Sequence, residues 1–283
     1  MHTMVQDAET DYDIDDGVYF SADKLVGSGG GEQTALSVRQ MVCDALQDDT
    51  FKRSPEVLKN CVRIFYNAGY HVDVPAYRRT ETIDHWTGKS VYVYELASST
   101  WKQSDPRSVT EWFKTMNTDL SPDSKVGDGQ LRRVVRLLKM FAKSRSSWKS
   151  SNASGFMITK LVIDNYYPSV GQDDVSLRET MKAIQQRLVV NQIIHHPVLD
   201  MDITKENDPR PGFFRDRLEE NLVHLEVLDK ADCSHTEAMK AWDKVFNCKW
   251  FDGQPETKAK KSEPSKAVVK EGGGRYAGTR DKN

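Results

Sequence analysis

The sequence lacks the features by which several protein classes are recognised. No apolar stretch approaches the ~20 residues that a membrane span needs, and the opening residues are polar and acidic rather than a basic segment followed by an apolar one. The default expectation is a cytoplasmic protein with no membrane partner. Four cysteines, Cys43, Cys61, Cys233 and Cys248, stand far apart with no C-x-x-C pair, which argues against a disulfide framework and against a structural zinc site. Cys233, His235 and Cys248 do not make up that deficit, because the close ligand pairs of zinc sites are absent. Charge of one sign is also missing: 40 basic and 42 acidic residues leave a net charge of −2, so no strong nucleic-acid signal is present. A glycine-rich run, "GSGGGE" at 27–32, is not followed by G-K-[ST] and so is not a Walker A loop; it reads as a flexible connection into the next helix.

What remains is a 283-residue chain, 38% hydrophobic and 29% charged, long enough for one large or two smaller cores. Its first hundred residues have mixed α/β character. Residues 18–20, 61–66, 70–77 and 90–96 favour strand, 32–46 favours helix, and Gly88 offers a turn for a hairpin between the last two strands. After "SSTWKQSDPRSVTEWF" the period becomes helical. Ser104 or Asp105 can cap a helix that carries Pro106 in its first turn, and the expected helices are 106–117, 128–143, 154–166, 174–189, 213–228 and 236–246. The spacing therefore predicts an α/β unit over 1–105 and a helical domain over 106–250. Residues 251–283, rich in Lys, Glu, Pro, Ser and Gly, are expected to form a disordered tail.

One short stretch is unusual. "TDYDIDDGVYF" places four aspartates within six positions, interleaved with Tyr12, Ile14, Val18 and Phe20, which suit a strand lying on a core. On a strand Asp11, Asp13 and Asp15 share a face and Asp16 takes the other. Such close like charges are either fully solvated or neutralised by a divalent cation. An EF-hand loop begun at Asp11 fails, since its sixth position is Asp16 and its twelfth Ala22. Two carboxylates two residues apart at a strand end suit Mg²⁺, and a third from a neighbouring strand would complete a two-ion site. Asp73, between Val72 and Val74 in "YHVDVPAY", is the candidate; an edge strand facing water would explain it equally well.

Together "DYDIDDGVYF", "YHVDVPAY", "SSTWKQSDPRSVTEWF", "QLRRVVRLLKMFAKSR" and "NASGFMITKLV", in this order over residues 1–250, resemble the bacterial cGAS/DncV-like nucleotidyltransferases, the cyclic-oligonucleotide synthases of anti-phage CBASS systems, and within them the DncV-type branch that makes cyclic GMP-AMP. The resemblance implies an α+β fold, a polymerase-β-like palm followed by a helical domain, with ATP and GTP as substrates. It implies that Asp13 and Asp15 hold two Mg²⁺ ions (or Mn²⁺) against the triphosphate, and that Asp73 shares one ion and helps to deprotonate the attacking ribose hydroxyl. Asp11 and Asp16 are then neighbours of the site. Lys139, on a helix whose Arg132, Arg136, Lys139 and Lys143 form a basic stripe, and Ser154 in the following helix are implied to reach the donor triphosphate. A downstream cyclic-nucleotide effector and E1/E2-like or other CBASS regulators are implied partners, although "GGGRYAG" is set back from Asn283, unlike a terminal glycine used for conjugation.

The sequence departs from the family at one place. A Gly-Ser loop normally precedes the acidic pair, and here Thr3 matches a position just downstream of it, which predicts that the chain begins inside the domain, either from an internal start or as a shortened form. Two other readings follow: a catalytically impaired nucleotide- or RNA-binding member of the fold, or a transferase acting on RNA or protein; the near-zero charge disfavours RNA.

Overall fold

The computed structural model describes residues 1, 3, 13–27, 29–48, 50, 53–66 and 70–256, with Asp13 described by its backbone alone. Asp11 and the segment 257–283, most of the expected tail, lie outside the described residues. Strands β1 (Asp13–Asp15), β2 (Val18–Ser21), β3 (Glu56–Val57), β4 (Val62–Phe65), β5 (His71–Val74), β6 (Ala76–Ile83), β7 (Ser90–Ala97) and β8 (Trp101–Gln103) are accompanied by one helix, α1 (Ala35–Ala45). The strands form two four-stranded sheets, ordered β1-β5-β4-β3 and β2-β6-β7-β8.

The two sheets are one pair of strands carried through a break. β1 runs parallel to β5 and β2 parallel to β6, and between them the Asp16 N–H donates to the Asp73 carbonyl (2.9 Å) and the Val18 N–H to the Pro75 carbonyl (3.0 Å). Pro75 has no N–H to give and interrupts the ladder, so the strand pair bends there. Val38, Val42 and Cys43 of α1 face a small core with Val62, Ile64, Val74, Ala76 and Ala97. From the same helix the buried Arg39 guanidinium donates to the carbonyls of Lys59, Ala97 and Ser98, tying α1 to the end of β7.

The hairpin is longer than its sequence suggests. Arg78–Ile83, expected in the connection, continues β6 and pairs residue by residue with β7, so the turn shrinks to 84–89. There the Asp84 side chain accepts from the N–H groups of Trp86 and Thr87 (2.9 and 2.7 Å), and Gly88 takes φ 66°.

Six helices follow: α2 (Pro106–Leu120), α3 (Gln130–Lys143), α4 (Gly155–Asp164), α5 (Asp173–Val190), α6 (Pro209–Leu222) and α7 (His235–Phe246). Local chemistry explains several starts. Asp105 accepts from the Ser108 N–H with Pro106 next, Ser154 caps α4 through the Met157 N–H, and Ser234 with Glu237 makes a reciprocal capping box on α7. The helix expected at 213–228 instead begins at Pro209 behind the Asp208 cap and tightens to a 3₁₀ segment over Val223–Asp229. A second apolar core, including Phe113, Leu131, Leu138, Phe141, Leu161, Met181 and Phe214, fills this half.

Helix α3 shows how a tertiary contact can supply a missing cap. Gly129 precedes it at φ 86° and has no side chain to accept, but the buried Asn117 of α2 accepts from the Arg132 N–H (3.0 Å) and donates to the Asp128 carbonyl (2.9 Å). A Cβ on Gly129 would lie 2.5 Å from Asn117 Nδ2, so the glycine is required by both conformation and space. Asn117→Ala is expected to destabilise the fold by about 1 kcal/mol in denaturant unfolding, because it removes the acceptor of the Arg132 N–H in the first turn of α3.

Candidate active site

The β1/β5 register decides the geometry of the acids. Asp15 is the register partner of Asp73, and Asp13 the partner of His71. Register partners on parallel strands share a face at a strand spacing of about 4.8 Å, so Asp15 and Asp73 stand side by side. Asp15 is exposed; Asp73 is 8% exposed. No three His, Cys, Asp or Glu side chains gather as a metal cluster among the described residues, and Asp13 contributes no described side chain to such a count.

A buried carboxylate needs partners, and Asp73 has them. Arg63, its register partner across β4, donates from Nε to Oδ1 at 2.7 Å and from Nη2 to Oδ2 at 2.8 Å. These hydrogen bonds hold the Asp73 carboxyl below the usual carboxylate range against the opposing effect of burial. The Cys61 thiol is pushed up to about 12 by burial, then by the charge of Asp73 and by its hydrogen bond to that carboxylate, with a further contribution from Asp15. Both acids therefore act on one small volume.

Four residues further along each strand lies a second register pair, Tyr19 and Tyr77, with rings stacked at 4.8 Å and 13°. Tyr94 meets Tyr19 edge-on and the Arg107 guanidinium lies 4.4 Å over the Tyr19 ring. Burial pushes the Tyr77 hydroxyl up to about 12. Gly17 makes room for the stack: a Cβ there would lie 3.2 Å from the Tyr77 ring. The acid pair and the tyrosine pair are separated by roughly 13 Å of strand, within the length of an extended nucleoside triphosphate.

Asp15 and both tyrosines border a cleft of about 1230 Å³, together with Asp105 and Arg107 of the α2 start, Arg136 of α3, Phe156 of α4 and His196; the buried Asp73 lies behind Asp15 and is not among the bordering residues. Arg136 has a buried Nε with no hydrogen-bond partner among the described residues. His196 Nδ1 accepts from the N–H groups of Val198 and Leu199 (3.2 and 3.0 Å), which leaves the proton on Nε2, and burial lowers its pKa.

Lys139 stands beside the α4 N-terminus, but neither it nor Ser154 is among the residues that border the cleft. The Lys139 ammonium donates to the Thr3 hydroxyl at 2.7 Å, and its Cε would lie 3.5 Å from a Cβ on Gly155, beside the α4 N-terminus that Ser154 caps. Burial, reinforced by Lys143, lowers its pKa to about 8. Sequence reasoning missed Tyr19, Tyr77, Arg107 and His196, which come from four separate segments; Arg136 carried a signal only as one member of the basic stripe.

Two parallel strand pairs, one carrying the acids and the other the tyrosines of the cleft, with α1 packed on the sheets and a helical second half, make an α+β fold, and its likeness to solved structures is to nucleotidyltransferases. Residues 1–77 match the family model "Cyclic GMP-AMP synthase DncV-like, nucleotidyltransferase domain". The structure is similar to Vibrio cholerae DncV in its 3′-deoxy ATP bound form (TM-score 0.59, 19% identity, 87% of this chain and 65% of that one). It is similar also to Escherichia coli DncV with 3′-deoxy GTP (0.57, 20%, 83% and 63%). A third match is the Elizabethkingia meningoseptica CdnE cyclic dinucleotide synthase with GTP and Apcpp (0.54, 16%, 76% and 78%). The family model thus covers the first quarter of the chain, and the structural likeness extends the fold over most of the rest at low sequence identity; the chain spans a little under two thirds of the DncV chains it matches. No helix among the described residues is long and apolar enough to cross a membrane.

Proposed function

We propose that the chain is a divalent-metal-dependent nucleotidyltransferase that makes a cyclic dinucleotide of the cyclic GMP-AMP type from ATP and GTP, acting in cytoplasmic anti-phage defence through a downstream effector. The observation that carries this reading is the Asp15–Asp73 register pair beside a cleft floored by stacked tyrosines. Two adjacent carboxylates are hard oxygen donors suited to Mg²⁺ or Mn²⁺, and Asp13, Asp15 and Asp73 are the residues that would hold two such ions. Bound there, the metal would neutralise triphosphate charge and ease ionisation of the attacking ribose hydroxyl as pyrophosphate leaves.

The remaining roles belong to the chain itself. The Arg107 guanidinium laid on the Tyr19–Tyr77 stack offers a planar surface to a base, and the His196 Nε2–H a donor to its edge. Arg136, with its unsatisfied Nε, offers a donor to a phosphate oxygen. Lys139 and the α4 N-terminus at Ser154 supply positive potential for the triphosphate. Arg136→Ala is expected to raise the nucleotide KM about tenfold or more with a smaller change in kcat, read by steady-state kinetics.

Incubation of the purified protein with labelled ATP and GTP, with Mg²⁺ or with EDTA, tests the reading. A cyclic product that appears only with the metal supports it. The second reading, nucleotide or RNA binding without turnover, is favoured by one observation: Arg63 engages both oxygens of Asp73. Nucleotide binding without any product under either condition would establish that alternative.

A further inference from the structure

Arg63 sits on the strand next to the acid pair, and its place there is specific. It is the antiparallel register partner of Asp73, its guanidinium lies flat against both carboxylate oxygens, and the two side chains are 26% and 12% exposed. The Cys61 thiol, hydrogen-bonded to the same carboxylate, flanks the pair from the residue before β4. An ionised carboxylate offers about four lone-pair directions. Arg63 and Cys61 draw on some of them without exhausting the group, so Asp73 stays ionised, fixed in orientation and able to accept a further ligand beside Asp15.

The charge has a consequence. One guanidinium paired with Asp73 lowers the summed charge of the Asp13, Asp15 and Asp73 carboxylates from about −3 to about −2, and it does so in a part-buried setting where its repulsion of an incoming cation is weakly screened. A triphosphate brings about four negative charges and reverses the balance. Resting on the nucleotidyltransferase reading, we propose that Arg63 is a positioning residue that holds the Asp73 carboxylate by both oxygens and makes divalent-ion capture conditional on nucleotide. Free Mg²⁺ alone then occupies the site poorly, and the ion enters together with the triphosphate. A purely structural arginine, one cross-strand ion pair among several in these sheets, predicts no such coupling.

The test is Mn²⁺ binding to the full chain, followed by the EPR signal of free Mn²⁺ with and without a non-hydrolysable ATP analogue. Wild type should bind Mn²⁺ at least about tenfold more tightly with the analogue than without it. Arg63→Met should narrow that gap by tightening nucleotide-free binding about five- to tenfold, while Arg63→Lys, which keeps the charge, should stay within about twofold of wild type. Thermal unfolding gives a second readout. Arg63→Met leaves Asp73 unpaired and lowers Tm, and Mn²⁺ should restore it further than in wild type, whereas KCl at equal ionic strength should not. Should Arg63→Met fail to fold, Arg63→Gln carries the same comparison, because it keeps donors and loses the charge. Nucleotide-free Mn²⁺ affinity in the uncharged variants equal to or below wild type overturns the proposal while the parent reading stands. If wild type with nucleotide binds no more Mn²⁺ than Asp15→Asn does, both fall together.

Discussion

Asp15→Asn should abolish cyclic product, lowering turnover by at least about 10²–10³-fold, and leave the protein as stable as before. The loss follows from removing the more accessible of the two adjacent hard ligands. The unchanged stability follows from exposure: Asp15 borders the cleft, and surface substitutions of this kind usually shift stability by no more than about 0.5 kcal/mol. Asp73→Asn makes the contrasting case. It also removes a ligand, but Arg63 then loses a charged partner within a part-buried pair, and the fold should weaken by about 2–4 kcal/mol. Paired activity and thermal-unfolding measurements separate the two, and equal turnover in wild type and Asp15→Asn would refute the assignment of Asp15 to the chemistry.

Lys139→Met should make the protein more stable and less able to bind nucleotide. Burial lowers this amine from 10.5 to about 8, and at ~1.4 kcal/mol per pH unit a shift of that size is a cost of about 3 kcal/mol for holding the charged form in place. Below pH 8 native and unfolded chains both carry the proton, so the native state bears the whole cost. Between 8 and 10.5 the native amine releases its proton while the unfolded one keeps it, and stability rises with pH; above 10.5 the cost is gone. The stability gained by Lys139→Met should therefore be largest at pH 7 and shrink to that of the lost Thr3 hydrogen bond by about pH 10.5. Nucleotide affinity should show the opposite penalty: in wild type it falls as pH rises through 8, and in the Met variant it is low and insensitive to pH over that range. Urea unfolding at pH 7, 9 and 10.5 with parallel nucleotide titrations reads both. A less stable variant at pH 7 would show that the Thr3 contact outweighs the cost of burying the charge.

These two residues differ in how legible they were. Spacing put Asp11, Asp13 and Asp15 on one face of a strand, because alternation is a local property, whereas the choice of Asp13, Asp15 and Asp73 among the acids came from the family resemblance. Lys139 appeared only as part of a stripe with 3.6-residue period. Its depressed pKa comes first from burial, and the neighbours it meets there, Thr3 and Gly155, stand 136 and 16 positions away, which no local pattern brings together. The aromatic floor of the cleft was less legible still. Tyr19 and Tyr77 stack because β2 and β6 pair in one register, and Gly17 leaves space for the rings, facts that require both strands to be placed first.

By itself the sequence determined the order of strands then helices and a cap for α2 at Ser104 or Asp105, since each depends on residues within a few positions of one another. Tertiary structure alone decided that Asp15 faces Asp73, that Arg63 claims both oxygens of that carboxylate, and that Arg136 and His196 close a cleft over two tyrosines. The physical reason is that strand register and helix docking are set by burial of the whole core. A one-residue slip would turn every side chain to the other face, and nothing in a local stretch of sequence records which register the assembled core will choose.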